Sequence, residues 1–321
     1  MFRKIAAAGI ALLMALGGGP ALAQKYPDKP IRLVIPFAAA GTTSILGRFI
    51  SEHLSPLYGQ QLVVDNRPGA GGHLGAELAA HSTPDGYTIM LGTIGIHAAY
   101  GLYSKLTYDP AKELTPIMIL VELPLVLAVH PSLPARTVKE YIDLAKAKPG
   151  EINFGSAGSG SSTHMTGELF KLMAGVNLTH VPYKGSMPAL QDVMGGQIQS
   201  MFEQVPTTIS QIKAGRLRAL GVTSKERAPS LPDVPPIGDT VPGYVSTAWF
   251  TVAAPAKTPP AILQKLNADL NGMLVDPKIV ARFKELGITP VGGTTEFAVK
   301  YFASETEKWN RVIKAAGIKA D

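Results

Sequence analysis

The stretch Ile31–Ser44 reads IRLVIPFAAAGTTS, an apolar run rich in β-branched residues that gives way to small residues and hydroxyls. A second stretch, Ile152–Thr163, reads INFGSAGSGSST and has the same order. An amphipathic helical pattern follows the first from about Ser44, and the second is followed by a helical pattern through about Ala174. Each stretch therefore predicts a strand, a loop of small residues that lets a ligand approach the backbone, and a helix.

Loops of this kind bind anions. The first N–H groups of a helix have no partner inside the helix, and the helix dipole places about half a positive charge at that end. Hydroxyl side chains add further donors. Two such loops that face each other across a cleft would hold an anion from both sides. Together the two stretches predict a small acidic solute that is bound without covalent chemistry.

The segment after the first stretch alternates strands and helices. A strand is predicted at Gln61–Asp65, a helix at Gly71–His81 and a strand at Tyr87–Leu91. This β-α-β-α-β order predicts a parallel sheet with helices on both faces. The pattern restarts with a strand at Leu125–Val129, and the C-terminal part after a strand at Thr247–Ala253 is predicted to be mainly helical.

The fold prediction is an α/β protein of two α/β domains with a ligand cleft between them. The C-terminal helices complete the first domain, so the chain crosses between the domains near Glu122–Val126 and again near Ser246–Ala253. Two crossings form a two-strand hinge that lets the cleft close. We expect domain 1 at 24–123 plus 249–321 and domain 2 at 124–248. Both small-residue loops then follow the carboxyl ends of strands, where such sheets bind ligands.

Residues 1–23 are predicted to be a secretion signal. Arg3 and Lys4 form its basic start, Ile5–Leu16 its apolar middle and Ala21-Leu22-Ala23 a small-x-small cleavage site. Cleavage before Gln24 would place the mature chain in the periplasm without insertion into the membrane. An uncleaved membrane anchor is the alternative, although the apolar stretch is shorter than the roughly 20 residues of a typical span.

Composition excludes several classes of site. The chain has no cysteine, so it has no disulfide, thiolate metal site, lipidated cysteine or cysteine nucleophile. Arg3 and Lys4 contribute +2 to the net charge of +6, which leaves +4 on the mature chain. The basic residues are scattered, which argues against nucleic-acid binding. The seven histidines show no metal-ligand spacing, so we predict neither a metal nor a cofactor.

Several longer motifs resemble the tripartite tricarboxylate transporter receptors, the Bug-type periplasmic solute-binding proteins. The resemblance covers essentially the whole mature chain. The stretches that carry it are DNRPGAGG at Asp65–Gly72, PDGYT at Pro84–Thr88, VPYKG at Val181–Gly185, GRLRAL at Gly215–Leu220, LPDVP at Leu231–Pro235 and VAAP at Val252–Pro255. The resemblance implies a type II periplasmic-binding-protein fold. It also implies a ligand carboxylate that is held in part by main-chain N–H groups of the two loops.

The first loop departs from the family pattern at one position. Members of the family usually read G-G-x-x-D there, whereas this chain has Ala40-Gly41-Thr42-Thr43-Ser44. Ser44 replaces a carboxylate that could pair with a ligand ammonium. The departure favours a plain organic acid over an amino acid, although another residue could supply the charge.

The predicted ligand-binding residues come from both loops and from neighbouring strand ends. They are Phe37, Ala38, Gly41, Thr42, Thr43, Ser44, Thr93, His97, Ser156, Gly158, Gly160, Ser161, Ser162, Thr163, Glu203 and Trp249. Each type of residue also has a structural alternative. The hydroxyls could be helix caps, the glycines turn residues, and Thr93 or His97 a brace within a third loop. Phe37 and Trp249 could belong to the core, and Glu203 could bind hinge backbone.

Two classes of function are compatible with these residues. The first is a monomeric periplasmic receptor that delivers a small carboxylate to the permease subunits of a tripartite tricarboxylate-type transporter; a receptor that signals to a sensor kinase is a variant of it. The second is a secreted α/β serine hydrolase that uses Ser161 or Ser162, with His164 one helix turn away. The chain has no G-x-S-x-G elbow, H-E-x-x-H or P-loop motif, which favours the receptor.

Overall fold

The computed structural model describes residues 26–320. The predicted signal at residues 1–23 and the cleavage site before Gln24 lie outside this range. Within residues 26–320, no helix is both long enough and apolar enough to cross a membrane.

Residues 26–320 form ten strands and eleven α-helices. The strands are β1 Ile31–Ile35, β2 Leu62–Asn66, β3 Thr88–Thr93, β4 Leu114–Val129, β5 Asn153–Ser156, β6 Thr179–Pro182, β7 Ser200–Gln204, β8 Arg218–Val222, β9 Thr247–Pro255 and β10 Thr289–Gly292. The helices are α1 Thr42–Tyr58, α2 His73–Ala80, α3 Ile94–His97, α4 Pro110–Glu113, α5 Val138–Ala147, α6 Ser162–Ala174, α7 Ser186–Met194, α8 Val205–Lys213, α9 Pro260–Leu274, α10 Pro277–Leu286 and α11 Thr295–Ala316.

The first lobe is the half of the molecule that is built on β1, β2, β3, β9, β10 and the first part of β4. β1 lies between β2 and β3 and is parallel to both, as the β-α-β-α-β pattern predicted. β9 then pairs antiparallel with β3, and β4 with β9. Leu46, Ile50 and Leu54 of α1 are fully buried, which is the result expected from their four-residue spacing. Phe49 of the same helix packs edge-on against Phe283 of α10.

The second lobe is built on β5, β6, β7, β8 and the last part of β4. β5 pairs parallel with both β6 and β7. β7 and β8 each pair antiparallel with the β4 segment that ends at Val129. Phe154, Phe170 and Phe202, from β5, α6 and β7, are fully buried in the core of this lobe. The result is a type II-like fold of two α/β domains.

The two lobes are joined by β4 and β9, which run side by side and antiparallel. In this connection Leu123 pairs with Ala248 and Pro124 with Thr247. The chain therefore passes between the lobes at the two places where crossings were predicted. The domain boundaries at 24–123 plus 249–321 and 124–248 stay predictions.

Three features of the fold differ from the sequence prediction. β4 begins at Leu114 rather than Leu125. Pro116 weakens the strand signal of its first part, but this proline lies beside a register shift, where a strand tolerates proline. The C-terminal part contains the short strand β10, whose four residues include a proline and a glycine and give a weak strand signal. Ile94–His97, predicted as a loop, is one turn of helix.

Candidate ligand-binding cleft

A pocket of about 330 Å³, counting space open to solvent, lies between the two lobes where β1 and β5 end. This volume is at the low end of the range for ligand sites and suits a small solute. Residues from both lobes form its wall. They are Phe37, Ala38, Gly41, Thr42, Thr43, Thr93, Ala157, Ser161, Ser162, Ser186, Gln204 and Phe250.

Four helices begin at this wall. Gly41 precedes α1, Ser161 precedes α6 and Gln204 precedes α8, while Ser186 is the first residue of α7. In α1, α7 and α8 no side chain caps the first turn, so the N–H groups at these ends are not satisfied by a cap. Each helix adds positive potential at its N-terminus. The pocket wall contains no charged side chain, so its electropositive character comes from backbone dipoles.

Two hydroxyls in the wall have no partner. The Oγ1 atoms of Thr42 and Thr93 are buried and make no hydrogen bond with any residue in 26–320. A buried hydroxyl without a partner costs about 1–3 kcal/mol, so native proteins rarely keep one without a reason. Thr42 comes from the first turn of α1 and Thr93 from the end of β3. Both point to a ligand that supplies hydrogen-bond acceptors at this position.

The hydroxyls of the second loop are largely occupied in shaping it. Ser161 Oγ donates to the carbonyl of Gly158 at 2.6 Å and also caps α6. Thr163 Oγ1 accepts from the N–H of Ala157 at 2.8 Å and lies 3.0 Å from Ser161 Oγ. Ser162 differs, because its Oγ accepts from Gln204 Nε2 at 3.0 Å and keeps its own hydrogen for another acceptor. Ser162 is therefore the hydroxyl of this loop best placed to donate to a ligand.

The lobes touch each other around the pocket. The N–H of Ala38 in the first lobe donates to the carbonyl of Lys184 in the second at 3.2 Å. Glycines allow the closest approaches. A Cβ at Gly95 would lie 2.8 Å from the carbonyl oxygen of Gly160, and one at Gly185 would lie 2.9 Å from Cβ of Ala38. The structure therefore represents a closed arrangement of the cleft.

The structure brings eight of the sixteen predicted residues into the pocket wall. They are Phe37, Ala38, Gly41, Thr42, Thr43, Thr93, Ser161 and Ser162. Gly158 and Gly160 lie in the same loop as Ser161 but outside the wall, with φ values of 121° and 76°. Their conformation gives the loop its shape, which is the role the sequence offered as an alternative. Ligand contact by any of these residues stays a prediction.

Other predicted residues have different partners. Ser44 accepts from Asn66 Nδ2 at 3.1 Å, and Ser156 lies 2.6 Å from His180 Nε2 beneath the second loop. Thr163 braces the second loop. His97 is stacked on Phe302, 4.5 Å between ring centroids, and burial lowers its pKa to about 3, so its ring is neutral.

Trp249 and Glu203 lie outside the pocket wall. Trp249 is fully buried and donates from Nε1 to Glu305 Oε2 at 2.8 Å, so it belongs to the core of the first lobe. Glu203 is also fully buried, at the end of β7, and is adjacent in sequence to Gln204. Burial raises the pKa of Glu203 to about 7, although hydrogen bonds from Ser186, Thr207 and the Gln204 backbone oppose this effect.

Four wall residues were missed by the sequence analysis: Ala157, Ser186, Gln204 and Phe250. A signal exists for two of them. Ser186 follows Gly185 after β6 and opens a helix, which repeats the strand, small residue and helix order of the other loops. Gln204 ends β7 directly before a helix with proline in its first turn. Phe250 lies within β9 and no local pattern distinguishes it from the core.

The wall does not form a nucleophile–base pair. In residues 26–320 no hydrogen bond joins Ser161 or Ser162 to a histidine ring, and His164 Nδ1 accepts from the N–H of Gly160 at 3.0 Å. The described residues contain no group of three histidine or acidic side chains that could hold a metal.

The chain is similar to known proteins in sequence and in structure. The sequence model of the tripartite tricarboxylate transporter family receptor matches residues 46–318. Protein BugT of Bordetella pertussis is 35% identical over 322 residues, which cover 99% of each chain.

Two solved structures with bound acids are similar over nearly the whole chain. R. palustris Rpa4515 with adipate is 39% identical, has a TM-score of 0.89 and matches over 92% of this chain and 99% of its own. MatC (Rpa3494) from Rhodopseudomonas palustris with bound malate is 31% identical, has a TM-score of 0.86 and matches over 90% of this chain and 100% of its own.

Proposed function

The chain belongs to the tripartite tricarboxylate transporter receptor family, and from this premise we propose that it is a periplasmic receptor for a small organic carboxylate. The receptor closes its two lobes over the acid and delivers it to the permease subunits of a membrane transporter. It acts as a monomer and catalyses no reaction on its ligand. Export through cleavage before Gln24 is part of the proposal.

The observation that carries the proposal is the pair of buried hydroxyls without partners, Thr42 and Thr93, in a wall where helices begin. A carboxylate has two acceptor oxygens and accepts hydrogen bonds from both hydroxyls and backbone N–H groups. The helix N-termini stabilise its charge without a cationic side chain. A neutral ligand would gain less from this potential.

The two solved relatives support the same chemistry. One was solved with adipate and the other with malate, both carrying two carboxylates. The wall of this chain also has apolar parts, formed by Phe37, Ala38, Ala157 and Phe250. We infer that they contact the hydrocarbon part of the acid while the hydroxyls and helix ends hold its charge.

The residues that contact the ligand are proposed to be the eight predicted wall residues together with Ser186 and Gln204. Ser156, Gly158, Gly160 and Thr163 shape the second loop from behind. Hinge motion about β4 and β9 separates the domains at the boundaries given above.

The test of binding is a thermal-shift and calorimetric screen of the purified periplasmic protein. The panel is acetate, malate, adipate and benzoate, each with its methyl ester as the matched uncharged control. An acid at 100 times its Kd should stabilise the protein by about 2.7 kcal/mol. Equal binding of acid and ester would contradict the anion site, and binding of no acid would contradict the receptor proposal.

Delivery to a transporter needs a separate experiment. Uptake of the best-binding acid, labelled with ¹⁴C, is measured in the source cells with and without a deletion of this chain. Loss of uptake that is restored by the wild-type chain supports delivery. Normal uptake together with a lost transcriptional response would favour a receptor that signals to a sensor kinase.

A further inference from the structure

Glu203 is a buried acid behind the pocket whose second carboxyl oxygen has no partner. The side chain is fully buried, and its Oε2 accepts no hydrogen bond from any residue in 26–320. The residue is not part of the wall, but its chain neighbour Gln204 and the nearby Ser186 are. The hydroxyl of Ser186 therefore connects this carboxyl group to the pocket, because it acts on Glu203 and also contributes to the wall.

The hydrogen bonds around Glu203 accommodate two protonation states. Thr207 Oγ1 lies 2.8 Å from Glu203 Oε1 and 2.9 Å from the carbonyl oxygen of Gln204. The hydroxyl has one hydrogen, so it donates to only one of these acceptors at full strength. When Glu203 is ionised, the hydroxyl of Thr207 can donate to its carboxylate. The carbonyl oxygen of Gln204 then still accepts from Thr208 Oγ1 at 3.1 Å. When Glu203 is protonated, Thr207 can accept from the acid and donate to Gln204.

Among residues 26–320, no charged side chain compensates Glu203. Burial raises the pKa of Glu203 to about 7, and the hydroxyls of Ser186 and Thr207 and the backbone of Gln204 lower it. No charged side chain in that range contributes. The charged residues of the surrounding elements α6, α7, α8 and β4 have other partners or lie at a far helix end. They are His164, 3.6 Å from Glu168, then Glu168 and Lys171, which pair with each other, Asp192, bonded by Tyr183, Glu122, bonded by Tyr301, and Lys213 in the last turn of α8.

From this geometry we propose that Glu203 takes up a proton when a carboxylate enters the pocket, so that the receptor binds the anion together with H⁺. The inference rests on the proposed carboxylate function. Two negative charges close together in a buried site disfavour each other, and the protein carboxyl can remove the repulsion by protonation.

The consequence is an affinity that falls at alkaline pH. A ligand that prefers the protonated form binds with full affinity below the pKa of Glu203 in the free protein, which is about 7. Above it the free protein must first gain a proton, so the Kd rises by up to about tenfold per pH unit. Simple carboxylic acids are themselves fully ionised above about pH 6 and contribute no such change.

The test is calorimetric titration of the purified protein at pH 7 in buffers of different ionisation enthalpy. The probe is the strongest binder among acetate, malate, adipate and benzoate. We expect the observed enthalpy to depend on the buffer with a slope of about half a proton taken up per ligand. Glu203→Gln keeps the size of the side chain and removes its titration, so its slope should be zero and its Kd constant from pH 6 to pH 8.5.

Two further variants separate this role from a structural one. Thr207→Val removes the donor that favours ionised Glu203 and should shift the rise in Kd to higher pH. Glu168→Gln is the control and removes a different buried carboxylate. Burial raises the pKa of Glu168, but hydrogen bonds from His164 and Lys171 outweigh this effect and keep it low. Proton uptake on ligand binding by the Glu168→Gln variant should therefore match the wild type. A wild-type enthalpy that is the same in all buffers, or proton uptake that persists in Glu203→Gln, would overturn the inference. Either result would leave the carboxylate receptor intact, whereas binding of no acid would contradict the receptor itself.

Discussion

The hydroxyl of Tyr103 in the first lobe donates a hydrogen bond to the carbonyl of Ser159 in the second, at 2.9 Å. Ser159 lies in the small-residue loop after β5, three residues before α6, whose first residue contributes to the pocket wall. The same carbonyl packs directly against Gly71 of the first lobe. Because this contact joins the two lobes, we expect it to break when they separate, which links the free energy of ligand binding to the free energy of closure.

Tyr103→Phe removes the donor of this contact and leaves the ring in place. A net loss of about 0.5–1.5 kcal/mol from the closed state should raise the Kd of the bound acid roughly two- to tenfold, mainly through faster release. Stopped-flow dissociation and calorimetry measure the two quantities. Tyr100→Phe is the control, since the hydroxyl of Tyr100, in the same turn, makes no hydrogen bond in residues 26–320. An unchanged Kd in Tyr103→Phe would show that this bond does not stabilise closure.

Gly71→Ala should block closure by steric overlap. Gly71 has φ of 61°, and an added Cβ would overlap the carbonyl oxygen of Ser159. Gly59→Ala is a matched control, because Gly59 has φ of 63° and no atom within 4 Å of an added Cβ. Both variants should lose about 1 kcal/mol of stability from backbone strain.

In the wild type we expect small-angle scattering to show a decrease in radius of gyration when ligand binds, and only Gly71→Ala should lose this decrease. Its affinity should also fall well below that of Gly59→Ala. Full closure in Gly71→Ala would mean that the loops separate enough in solution to accommodate a methyl group.

The parts of this fold that depend on local sequence were predictable. The run before Pro36 is apolar except at Arg32, since β1 is a central strand between β2 and β3 whose other side chains are buried, and the glycine and hydroxyls after it open α1. The same local order identified the loop that precedes α6. In both cases a few adjacent residues determine strand, loop and helix, so no knowledge of distant contacts is needed.

The parts that depend on distant contacts were not predictable in the same way. Phe250 reaches the wall from β9 only because that strand pairs with β3. His97 faces Phe302 of α11, more than 200 residues later in the chain, rather than the cleft. Pro116 and Pro124 weakened the strand signal of β4, which tolerates them near a register shift and where the lobes join.

The first family motif, at Asp65–Gly72, has a structural role in an acid-sensitive ion cluster. Burial raises the pKa of Asp65, but hydrogen bonds from Arg32 and Arg67 outweigh this effect and hold the pKa below its usual value. A carboxyl group with a lowered pKa stabilises the fold above its unfolded pKa of about 3.9, and this contribution disappears as pH falls through the folded value. Asp65→Asn should therefore cost about 1 kcal/mol at pH 7 and much less at pH 3. Urea unfolding at both pH values measures this difference; an equal loss at pH 3 would show that size and packing, rather than charge, are what Asp65 contributes.

Thr93→Val tests whether the hydroxyl without a partner is kept for the ligand. Valine has nearly the same shape and removes a buried polar group that makes no bond in the free protein, so stability without ligand should stay the same or rise. Binding of the acid should weaken by about 0.5–1.5 kcal/mol, roughly two- to tenfold in Kd.

Thr251→Val is the matched control on the neighbouring strand, because Thr251 Oγ1 donates to the carbonyl of Met118 at 2.6 Å. It should destabilise the protein by about 1–3 kcal/mol through the unpaired carbonyl and leave the Kd unchanged. Thermal unfolding without ligand and calorimetry with it give the two numbers for each variant. If Thr93→Val lost stability and kept full affinity, its hydroxyl would be bonded within the protein in solution, and the ligand would be held by the helix N-termini without it.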